Sequence, residues 1–168
     1  MKSTAVMRDQ VEDAITRQDW GEMYYLLRAA WSADATPATA NYILSKGEYL
    51  RGHVSLSPCR MAVARSFTIE PVVPLCRAVA LLRGIDLTVQ VCGFNTYAQD
   101  LLDAQSPLYQ SSPDVVLLAV QTRDIAPELW SGISDLSHDS LKDVVARVVE
   151  TYKNLVTVFR ANSRAHLI

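Results

Sequence analysis

Cysteine is scarce here: Cys59, Cys76 and Cys92 are the three in 168 residues, odd in number and widely spaced. No C-x-x-C or Cys/His metal spacing occurs, which argues against structural zinc and against a disulfide framework. Cys76 and Cys92 stand among apolar residues and read as buried thiols in a reducing cytoplasm. No apolar run reaches the length of a bilayer-crossing helix, and the opening MKSTAVMRDQVEDAI lacks the apolar centre of a signal peptide. A soluble cytoplasmic protein without a membrane partner is the expectation. An excess of positive charge is missing too: sixteen Lys and Arg face eighteen Asp and Glu, a net charge of −2. A dedicated nucleic-acid binder normally shows a basic face, so nucleic acid is not an expected partner. Nor does the chain hold G-x-x-x-x-G-K-[ST], G-x-G-x-x-G, H-E-x-x-H or G-x-S-x-G. The simplest signs of nucleotide binding, zinc peptidase and α/β-hydrolase chemistry are therefore absent.

What is present supports a sizeable core, with 49% hydrophobic and 20% charged residues. Residues 4–31 carry apolar residues at three- and four-residue steps, with a break at Gln18-Asp19-Trp20-Gly21, and predict two helices packed by Trp20 and Trp31. Thr36-Pro37 predicts another helix start, Thr as cap and Pro at the first position. Met1–Gly52 thus reads as a small all-α appendage. After the connector His53–Pro58 the pattern alternates between strands and helices. Strands are expected over Arg60–Ala64, Asp86–Cys92 and Val115–Val120, the last the central one. Helices are expected over Val72–Leu82, stopped by Gly84, over Thr96–Leu102, and over Asp139–Arg160 behind a cap at Ser137 or His138. Ser106–Pro113 reads as a loop, and Gln121–Ser137 as a long polar loop with some helix near Trp130. The ending Ser163–Ile168 has the form of a loop entering a fourth strand, so a fragment is expected. Successive β-α units mean right-handed crossovers and a parallel sheet. The fold class is accordingly α/β, a three-layer parallel sheet of order 2-1-3-4 with its fourth strand truncated, in residues 59–168.

Ligands of open parallel sheets bind beyond the carboxyl ends of the strands. The first strand delivers Arg65, Ser66 and Thr68 there, the second Gly93 and Asn95, the third Arg123 and Asp124. Ser66 reads as a nucleophile or oxyanion donor, with the Gly93 N–H and Asn95 as further donors. Arg65 and Arg123 could hold a phosphate or carboxylate. The plainer alternative stays open: Ser66, Thr68 and Asn95 cap helices, and the arginines form surface ion pairs. A nucleophilic serine needs a base, and none of His53, His138 and His166 sits at a strand end facing Ser66.

The run SFT-x-E-P-x-V-P-L, then G-F-N-x-Y, then S-x-L-Y and P-D-V-V-x-L, resembles the N-terminal half of the FkbH-like proteins in order and spacing. The helices with Trp and T-P-A-T-A before it fit as well. The resemblance implies a flavodoxin- or SGNH-hydrolase-like α/β region joined to a haloacid-dehalogenase-type phosphatase half. It further implies a role in taking a glyceryl group from 1,3-bisphosphoglycerate and loading a three-carbon unit onto an acyl carrier protein in polyketide biosynthesis. An acyl carrier protein and a C-terminal phosphatase domain are the implied partners. No D-x-D occurs in this chain, so its magnesium-dependent step is expected on sequence beyond it, and no cofactor or metal is expected here. By the same resemblance Ser66 and Asn95 take catalytic positions, while Arg65, Thr68, Gly93, Arg123 and Asp124 take substrate-binding ones. The usual Gly-Asp before the serine is replaced by Ala64-Arg65, and the late Asp-x-x-His of that pattern is expected to lie beyond Ile168 or to be missing, which puts hydrolysis in question. Two other readings stand beside this one: an SGNH-type esterase or acyltransferase using Ser66, and a non-catalytic interaction domain docking through Met1–Gly52.

Overall fold

The computed structural model describes residues 4–168. Two compact units emerge, one of residues 1–59 and 70–88, the other of residues 60–69 and 89–168. The segment 70–88, which the sequence pattern assigns to the α/β region, thus belongs with the helices. The physical reason is the apolar face of its helix.

In the first unit α1 covers Thr4–Thr16, α2 Trp20–Ala33, α3 Pro37–Leu50 and α4 Val73–Leu81. Gln18 at φ 56° turns the chain between α1 and α2, and the Asp19 side chain caps α2 by accepting from the Glu22 N–H. Thr36 caps α3 in the same way, with Pro37 at its first turn, as the sequence predicts. Val11, Met23, Leu27, Ile43 and Leu50 are buried in one cluster, against which Trp20 and Trp31 pack. The Trp20 ring also stacks on His53, centroids 4.3 Å apart. Around α4, Val72 and Val79 are exposed, while Ala78, Leu81 and Leu82 are in the core. Gly47 in α3 leaves the space that Leu81 fills, since a Cβ there would stand 2.6 Å from Leu81 Cδ2. That fit turns α4 so that Leu75, Ala78 and Leu81 face inward. Gly84, at φ +78°, ends the turn after the helix.

The sheet runs β2-β1-β3-β4, all parallel and flanked by helices, with β1 Ser57–Arg65, β2 Ile85–Phe94, β3 Val115–Ala119 and β4 His166–Leu167. Met61 lies opposite Val115 and Arg65 opposite Ala119, while Val115 lies opposite His166. Both β1 and β3 are interior strands, so centrality is shared rather than held by β3 alone. The second unit's helices are α5 Tyr97–Leu102, α6 Pro107–Gln110, α7 Thr122–Ile125, α8 Pro127–Ser131 and α9 His138–Asn162. The expected loop Ser106–Pro113 therefore contains a helical turn, started by Pro107 and tied by the Ser106 hydroxyl to Asp100 O. The expected polar loop 121–137 holds two more. Ser137 is the cap of α9, its Oγ accepting from the Ser140 N–H. Ala62, Ala64, Leu101, Leu108, Val116, Leu155 and Phe159 build the core around the sheet. In α9 Val144, Leu155 and Phe159 are buried, whereas Val145 and Val149 are exposed. Among the described residues no helix is long and apolar enough to cross a membrane.

Candidate functional site

Parallel strands bring their carboxyl ends to one rim, and backbone hydrogen bonds fasten those ends together. The Ser66 N–H donates to Ala119 O at 2.9 Å, linking the end of β1 to that of β3. The Asn95 N–H donates to Arg65 O at 3.0 Å, linking β2 to β1. Ser66, Arg65, Asn95 and Gly93 thus stand at the same rim, as the sequence predicts.

Their side chains meet different surroundings. Ser66 is only 1% exposed, and its Oγ accepts the Gln121 N–H at 2.9 Å. The hydroxyl serves as a clip between two strand ends and is shielded from solvent. No histidine stands by to act as base: His53 is stacked on Trp20, His138 begins α9, and His166 pairs with the amino end of β3 at the opposite rim. Arg65 donates from Nε to Cys92 O at 3.2 Å and from a terminal nitrogen to Phe67 O at 3.3 Å. Its guanidinium lies over the Phe94 ring, 5.7 Å from the centroid.

Asn95 is exposed and sits at φ 57°, in the left-handed region that asparagine tolerates, where it turns the chain towards α5. It is not the helix cap; Thr96 holds that position and donates its hydroxyl to Asp100 at 2.6 Å. Gly93 is required by this same turn, because an added Cβ would come within 2.7 Å of Thr96 Oγ1. Thr68 is exposed ahead of the 3-10 turn Glu70–Val72. Arg123 and Asp124, both in α7, approach each other at 3.8 Å. Asp124 also acts on Tyr97, whose phenol is pushed up by burial first, then by Tyr152 and Asp124. Cys92, buried beneath the rim, has its thiol pushed up to about 11, by burial first and then by Asp100, with Arg65 opposing. A thiol in that state is a poor nucleophile at neutral pH. Among the described residues no group of three or more His, Cys, Asp or Glu could hold a metal ion.

A cavity of about 210 Å³ opens beside the carboxyl end of β3, lined by residues that the motifs do not single out, among them Val120, Thr122, Leu129 and Tyr152. Its signal in the sequence was the apolar spacing Ile125, Ala126, Leu129 within a stretch that otherwise reads as polar loop.

No protein family and no curated protein matches this chain. Among solved structures it is similar to the N-terminal part of the protein BF1531 from Bacteroides fragilis, described as containing a phosphatase domain complexed with Mg. The TM-score is 0.52 at 15% sequence identity, over 67% of this chain and 28% of that one. This chain therefore corresponds to under a third of that structure's length. At such identity the likeness concerns the fold: a four-stranded parallel sheet flanked by helices, of flavodoxin-like type.

Proposed function

We propose that this chain is an FkbH-like N-terminal α/β region that recognises a carrier protein and works beside a magnesium-dependent phosphatase domain without hydrolysing anything itself. The observation that carries the reading is the shared fold with a structure described as the N-terminal part of a phosphatase-domain protein. The order of the SFT-x-E-P, G-F-N-x-Y and P-D-V-V motifs supports the family. The clipped hydroxyl of Ser66 supports recognition over covalent catalysis. Magnesium does not fit this chain: it has no D-x-D, and its described acidic residues do not cluster. In this reading the metal belongs to the partner domain, which removes phosphate from 1,3-bisphosphoglycerate. The present chain then contributes contacts that bring an acyl carrier protein to the glyceryl group, through exposed rim residues such as Thr68, Asn95 and Arg123.

Calorimetric titration of the chain with phosphopantetheinylated acyl carrier protein tests this. Micromolar binding is expected, weakened severalfold by Arg123→Ala, with no magnesium-dependent phosphate release by the chain alone. Absence of binding, or phosphate release by the chain alone, overturns the reading. Labelling of Ser66 by a fluorophosphonate would replace it with the esterase reading.

A further inference from the structure

The cavity beside β3 lies where open parallel sheets hold their ligands, yet it does not use the polar rim residues. Val120 closes one side, Thr122, Ile125 and Leu129 come from α7 and α8, and Val148 and Tyr152 come from α9. Its volume of about 210 Å³ is room for about seven water molecules. That is below the size of most drug-like sites, so a ligand of few heavy atoms is indicated. No lining residue carries a charge. An ionised ligand group would be partly dehydrated there without a counter-charge, which disfavours it. The lining holds two hydroxyls, of Thr122 and Tyr152, and neither is hydrogen-bonded to another described residue. One wall is fastened across the site by Arg147 of α9. Its guanidinium donates to Ile125 O at 3.2 Å and to both Glu128 carboxylate oxygens at 2.8 and 2.9 Å.

We infer that this cavity binds a short, neutral aliphatic molecule with one hydroxyl or carbonyl. The chain of the ligand packs against valine, isoleucine and leucine side chains, and its polar end meets the Thr122 and Tyr152 hydroxyls. The site is independent of the carrier-protein reading, because it shares no residue with the proposed contact surface.

Methyl NMR titration of the full chain with 1-hexanol, hexanoate and hexylamine tests the inference. Saturable shifts are expected at Ile125, Leu129, Val145 and Val148, with the charged analogues at least about tenfold weaker. Val148→Trp fills the space and should abolish the response. Thr122→Val with Tyr152→Phe preserves the apolar walls and should weaken hexanol about three- to tenfold, even if the tryptophan variant fails to fold. Shifts that do not saturate, shifts centred elsewhere, equal response to the charged analogues, or undiminished affinity in the double variant each overturn it.

Discussion

Ser66 shows how a residue type can be legible while its role is not. Its place just past the first strand follows from the apolar run Met61–Ala64. Its partner, the Gln121 N–H, lies 55 positions away, and no local spacing encodes such a bond. The same holds for Gly47, whose reason is Leu81 in another helix, whereas the reason for Gly93, Thr96, is local. If Ser66 is a clip, Ser66→Ala leaves a backbone donor without its acceptor and should lower stability by about 1–3 kcal/mol in urea unfolding. Unchanged stability would contradict the structural role. Gly47→Val must push Leu81 out of a filled core, and the cost should be about 1–3 kcal/mol despite the loss of a flexible glycine. Leu81→Ala in the same chain should recover part of that difference, because it vacates the contested volume.

Among the elements, helices announced themselves by capping more reliably than by face. Thr36-Pro37 and Ser137 mark the starts of α3 and α9 as expected, because caps act within three residues. The buried faces of α4 and α9 are harder to read, because apolar residues ring much of each helix and only long-range packing selects among them. In α9 the selection is testable. Phe159→Ala should cost about 3–5 kcal/mol, since Phe159 is wholly buried beside Leu155 and Ala165. Val149→Ala, on the exposed stripe, should cost below about 1 kcal/mol. Equal costs in denaturant titrations would mean that the stripe at Val149 is covered. Helix α8 answers to the helix expected near Trp130, whereas α7 has no signal in the sequence, because four residues are too few to show a period. They are held to α9 by Arg147, so Arg147→Ala should speed amide hydrogen exchange over residues 125–131 while leaving that of β1 and β3 unchanged.

For the molecule as a whole, the strand order 2-1-3-4 was accessible from the succession of apolar runs, since parallel crossovers restrict topology severely. The grouping of 70–88 with the helices was not, because it depends on the match between Gly47 and Leu81. Burial of ionisable groups across the core sets a further property, the response to alkali. The Cys92 thiol, about 11 in the fold, ionises near 8.5 once the chain is unfolded. Tyr42, Tyr97, Tyr109 and Tyr152 are likewise pushed up, burial being the leading cause in each. In every case the native state binds the proton more tightly than the unfolded one. Stability from these groups is therefore complete below their unfolded values and is lost as pH rises towards their folded values. The urea midpoint should stay level from pH 7 to about 8.5 and then fall, first through Cys92 and, above about 10, through the tyrosines. Cys92→Ala should be less stable at pH 7, having lost a buried sulfur, but should flatten the early part of that fall. A midpoint that holds steady to pH 11, or a variant whose fall begins as early as the native chain's, would mean that Cys92 is not the buried neutral thiol described.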